Sequence, residues 1–111
     1  MATSDAERVV QVQVAHDDRE ALSAMIAELV DERLIACGQI VGPVSSTFVW
    51  EGSMQHAQEW LGLLKTSETV LDRLVARVAE MHSYDVPEIL VIEVAGGYAP
   101  YLEWVAERTM L

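Results

Sequence analysis

The stretch Ala36–Thr66, ACGQIVGPVSSTFVWEGSMQHAQEWLGLLKT, constrains this chain more than any other. It reads as two long strands joined at Glu51-Gly52-Ser53, a reverse-turn sequence with glycine at its centre. Thr47, Phe48, Val49 and Trp50 approach the turn with β-branched and aromatic side chains that suit a half-buried pleated surface. Trp60, Leu61, Leu63 and Leu64 lie on the returning arm. Each arm exceeds the usual strand of about 5–6 residues, so the hairpin is expected to overhang the sheet of a small domain. An overhanging edge leaves N–H and C=O groups for a second chain to take up, and the hairpin is therefore expected to build an oligomer. Gly42-Pro43 interrupts the first arm, and a proline that cannot donate to the ladder predicts a bulge and a bend there.

The flanking segments alternate in period. Val10, Val12 and Val14 fall on one face of a strand over residues 8–15, with Gln11 and Gln13 on the other, facing either solvent or a neighbouring subunit. Asp17 to Leu34 reads as a helix. Asp17 with Glu20 resembles a capping box, and Leu22, Met25, Ile26, Leu29 and Val30 form one apolar stripe. Thr66-Ser67 ends the second hairpin arm and offers an N-cap to a second helix over 67–82, striped by Val70, Leu71, Leu74, Val75, Val78 and Met81. EILVIEV, residues 88–94, is an apolar run of strand length that fits a central strand buried on both faces. After Gly96-Gly97, Pro100 opens a last short helix with Tyr101, Trp104 and Val105 on its apolar face. Two βαβ halves sharing one antiparallel sheet predict an α+β, ferredoxin-like βαββαβ sandwich with a long central hairpin and an extra C-terminal helix.

The 111 residues suit a single domain over 8–111, preceded by a flexible leader over 1–7. Eighteen acidic against seven basic side chains give a net charge of −11, which argues against a nucleic-acid partner because phosphate binding needs clustered cations. Cys37 is the only cysteine, so no internal disulfide or cysteine zinc motif can form, and a reducing compartment is expected. No run approaches the ~20 apolar residues of a membrane span, and the acidic start is not a secretory signal. A cytoplasmic location without membrane contact is the expectation.

Glu32-Arg33-Leu34-Ile35-Ala36-Cys37, Trp50-Glu51-Gly52, and Glu59 with Leu64-Lys65-Thr66 resemble the CutA divalent-cation-tolerance proteins. So do His82-Ser83-Tyr84-Asp85-Val86-Pro87-Glu88-Ile89 and Tyr101-Leu102-Glu103-Trp104, in order and at family-like spacing from about Val9 to Trp104. The resemblance implies a ferredoxin-like subunit in a tight homotrimer, similar to the PII signalling proteins, and a link to tolerance of copper and other divalent metals. It implies no catalytic activity. The alternative it leaves is a PII-like signalling or scaffolding trimer that binds a nucleotide or small anion.

Trp50, Glu59, Lys65 and Tyr84 fall in the matching motifs and are the expected walls of a ligand cleft between subunits. A lysine closing an apolar strand usually finds a carboxylate, and Glu59 lies about 20 Å back along the same strand at ~3.3 Å per residue. Lys65 is thus expected to find its carboxylate on another strand or chain, unless it meets a ligand. An imidazole with a carboxylate suits copper or zinc, which makes His82 and Glu88 candidate metal ligands. His82 alternatively sits at a helix C-terminus, where the dipole favours it. Some family members carry a cysteine where this chain has Val14. His16, on the same strand face, offers a nitrogen instead if the strand runs that far. Copper or another divalent cation is the expected ligand, with no cofactor needed for folding. Cys37 reads as a small core residue, since nothing pairs it with a histidine.

Overall fold

In the computed structural model the described residues are 8–109, so the expected leader at 1–7 lies outside them. The order is β1 (Val9–His16), α1 (Arg19–Asp31), β2 (Cys37–Trp50), β3 (Ser53–Ser67), a 3-10 turn (Glu68–Val70), α2 (Leu71–Met81), β4 (Ile89–Glu93) and α3 (Ala99–Arg108). One sheet runs β2-β3-β1-β4, with every neighbouring pair antiparallel. This is the ferredoxin-like arrangement.

The strand alternation decides where the core lies. Val10, Val12 and Val14 are buried together with Leu64, Leu22, Met25, Leu29, Leu74 and Val78, so α1 and α2 cover one face of the sheet. Burial on that scale is worth roughly 1.5–3 kcal/mol per large aliphatic side chain. Gln11 and Gln13 project to the opposite face beside their register partners Lys65 and Leu63 on β3 and Ile92 and Leu90 on β4. A smaller cluster of Val9, Ala36 and Val105 seats α3, and the Ser67 and Thr109 hydroxyls meet at 2.8 Å beside it. Arg33 follows α1 in the left-handed region (φ 64°) and donates to the Glu107 and Arg108 carbonyls, satisfying the last turn of α3.

Three local expectations are corrected. The α1 cap is Asp18 rather than Asp17: its carboxylate accepts from the Ala21 N–H at 3.0 Å, and no capping box with Glu20 forms. Ser67 makes no side-chain cap, because its hydroxyl is committed to Thr109. β4 is an edge strand, not a central one. The crossover through α2 carries the chain over β1 to its far side, leaving Leu90, Val91 and Ile92 at 50, 46 and 39% exposure.

The hairpin turns through Glu51-Gly52, both at positive φ (52° and 84°), the two-residue geometry that matches strand twist. The expected bulge is present, as Gly42 and Pro43 together oppose Trp60 between the Val41↔Leu61 and Val44↔Glu59 pairs. Glycine is required there. Its φ is 142°, and a Cβ would come within 2.9 Å of the Trp60 ring. β1 ends at His16 opposite Trp60, so among the described residues the two arms pair only with each other from Val44↔Glu59 to Trp50↔Ser53. That ribbon projects about 23 Å at ~3.3 Å per residue and stretches the molecule to 50 × 26 × 21 Å.

Candidate functional site

The end of β1, the start of α1, β3 near Glu59 and the connection after α2 meet at one corner. β1 does reach His16, which is buried at its end, and His82 is buried just beyond α2 in extended conformation. The two imidazoles stack with centroids 4.2 Å apart at 19°. The Tyr84 ring tilts against them, 4.5 Å from His82 and 5.6 Å from His16.

Hydrogen bonds fix the protonation of this stack. His82 Nε2–H donates to the Ala15 carbonyl at 2.8 Å, while its Nδ1 accepts the Tyr84 N–H at 3.1 Å. His16 Nδ1 accepts the Asp18 N–H at 3.0 Å. A nitrogen that accepts carries no proton, so His82 is held as its Nε2–H tautomer. Burial lowers the His82 pKa from 6.5, the Ala15 carbonyl opposes that shift, and a charged His16 would reinforce it. The Tyr84 hydroxyl donates to Glu59 Oε2 at 2.7 Å, and burial, then that carboxylate, raise its pKa.

The candidate residues separate into groups. His16, His82, Tyr84 and Glu59 are brought together. Among the described residues Lys65 is not paired with a carboxylate; its ammonium donates to the Gln39 side-chain carbonyl at 2.8 Å. Gln39 lies two residues beyond Cys37, the cross-strand partner of Lys65, within diagonal reach on the same face. Trp50 stands at the hairpin tip, half exposed, about 40 Å from Lys65 at ~3.3 Å per residue. Trp50 and Lys65 therefore cannot wall one cleft within a single chain. Glu88 is exposed and accepts from the Gln13 amide at 2.9 Å.

These donors do not compose a metal centre in one chain. Both His82 nitrogens and one His16 nitrogen are engaged by backbone. Among the described residues no group of three His, Cys, Asp or Glu side chains is placed to hold a metal ion. Two contacts were not read from the sequence: Gln39 to Lys65, and the Cys37 thiol 3.4 Å from the Tyr101 hydroxyl, which pushes that phenol up to about 12. Both depend on strand register and on the docking of α3, which no local pattern encodes. Among the described residues no helix is long and apolar enough to cross a membrane.

A four-stranded antiparallel sheet backed by helices, with a projecting hairpin and a corner of conjoined His, Tyr and Glu side chains, defines a ferredoxin-like α+β protein. Residues 10–108 match the model of the CutA1 divalent ion tolerance protein family. The divalent-cation tolerance protein CutA of Thermus thermophilus is 38% identical over 103 residues, which is 93% of this chain and 98% of that protein. A solved structure of the Thermus thermophilus protein superposes with a TM-score of 0.88 at 35% identity, covering 92% of this chain and 99% of that one. Rice "Protein CutA 1, chloroplastic" is 36% identical over 108 residues, 97% of this chain but 61% of its own length. An Archaeoglobus fulgidus CutA structure described as periplasmic has a TM-score of 0.88 at 27% identity, covering 92% and 99% of the two chains. The chain belongs to the CutA1 divalent ion tolerance protein family.

Proposed function

We propose that the protein is a homotrimer of divalent metal-ion tolerance, copper included, that binds metal ions or a small ligand at clefts between its subunits. The observation that carries this reading is the projecting hairpin. A two-stranded ribbon is marginal by itself, yet this one extends about seven residues per arm with Phe48, Val49, Trp50 and Met54 exposed at its tip. Among the described residues β4 has no further strand beside it and offers an apolar edge at the other side of the sheet, and strand addition between copies would cover both. Trp50 and Lys65 can then wall one cleft only if they come from different chains. Metal ligands likewise have to come from more than one chain.

The role is binding rather than catalysis. The Cys37 thiol has a phenol rather than an imidazole beside it and so lacks a base to activate it. The single cysteine supports the cytoplasm as the location.

Thermal-shift measurements with copper, zinc and nucleotides test the reading. A ligand at 100 times its Kd stabilises the native state by about 2.7 kcal/mol. Divalent metals are expected to raise the melting temperature, and nucleotides to leave it unchanged. Stabilisation by nucleotides alone would replace the metal reading with the PII-like signalling one. Equal copper affinity in wild type and His82→Ala would remove His82 as a ligand.

A further inference from the structure

We propose that Glu59 of one chain pairs with Lys65 of a second copy, so that the corner beside Tyr84 is completed by the neighbouring subunit. This rests on the trimeric reading above. Glu59 is only 7% exposed, yet among the described residues its carboxylate is met by a neutral hydroxyl, that of Tyr84, and by no Lys or Arg. A carboxylate taken out of water without a cation is costly to keep charged.

The chain's other engaged cations are committed elsewhere. Arg77 holds Glu28, Glu32 and Glu80, Arg8 lies near Glu68 and Glu93, and Arg33 caps α3. Lys65 is the only lysine in the sequence. It is half-buried, has among the described residues one neutral partner in Gln39, and retains donors for another acceptor. Glu59 and Lys65 stand about 20 Å apart on β3 at ~3.3 Å per residue and cannot meet within a chain. Lys65 also lies on the face opposite α1 and α2, with Gln11 and Ile92 and beside Cys37, where α3 seats Tyr101, in register with the exposed β4 edge that a second copy would cover. In a closed ring each chain gives one carboxylate and receives one ammonium, so no charge is left over.

The test is a double-mutant cycle on the full chain with Glu59→Gln, Lys65→Gln and both together, read as the trimer dissociation constant by sedimentation equilibrium. Each single substitution is expected to raise the constant about tenfold, and the double no further than the worse single. Multiplying effects, or a Lys65→Gln variant that assembles like wild type, would overturn the pairing while leaving the trimer in place. A wild-type chain that is monomeric at every concentration would overturn both. If Glu59→Gln does not fold, Lys65 variants decide alone: Lys65→Arg is expected to hold the trimer and Lys65→Gln to weaken it, and equal behaviour contradicts the proposal.

Discussion

His82 donates from Nε2 and accepts a backbone N–H at Nδ1, which leaves its ring no vacant site for a second proton. Protonating His82 breaks its bond from the Tyr84 N–H and sets a cation 4.2 Å from the His16 ring. Asp17 and Glu59 face the pair and partly offset that charge, but burial dominates and lowers the His82 pKa from 6.5. A lowered histidine means that the unfolded chain binds more protons through that window. The stability contribution is therefore complete above about pH 6.5 and is lost as pH falls through the folded value. Unfolding midpoints are expected to fall from pH 7.5 to pH 5 in wild type and to fall less steeply in His82→Gln; parallel curves would contradict this role. Tyr84→Phe removes the hydroxyl that donates to Glu59 and should cost about 1–3 kcal/mol in denaturant unfolding. The sequence placed His16, His82, Tyr84 and Glu59 among the candidates. It did not show that they share a corner, because they come from three separate parts of the chain and meet only after the strands find their register. The Lys65–Gln39 contact was hidden for the same reason.

Element by element, periodicity was the readable signal. The Val10/Val12/Val14 alternation and the Leu22/Met25/Leu29 stripe both point to the one core that they share. Boundaries were less legible. Asp17 and Asp18 are adjacent and equally suited to cap a helix, and the choice is made by His16 Nδ1, which takes the Asp18 N–H and orients that residue. Asp18→Ala is accordingly expected to lower stability by about 1 kcal/mol in chemical denaturation. An unchanged midpoint would return the cap to Asp17. The β4 assignment failed for an instructive reason. An apolar run covered on both faces and an apolar run at an exposed sheet edge have the same composition. Only the crossover over β1 separates them. The hairpin was the opposite case, since Glu51-Gly52 and Gly42-Pro43 announce the turn and the bulge directly, and both occur where the residue types require them.

At the scale of the whole molecule, a 50 Å long subunit with a projecting ribbon, an exposed apolar β4 edge and half-exposed Tyr101 and Trp104 leaves much apolar surface in water. Scattered exposed side chains are ordinary, but contiguous apolar edges mark contact surfaces. The hairpin and β4 are the two complementary halves of that surface in the proposed assembly. Shortening the loop around Gly52 by several residues on each arm should abolish assembly while the core cluster around Val12 and Leu64 still folds, as circular dichroism would show. The most direct measurement is the solution mass of the intact chain by light scattering at micromolar concentration. A trimer has a mass of about 37 kDa, three times the 12.3 kDa subunit, and a single 12.3 kDa species would contradict the assembly.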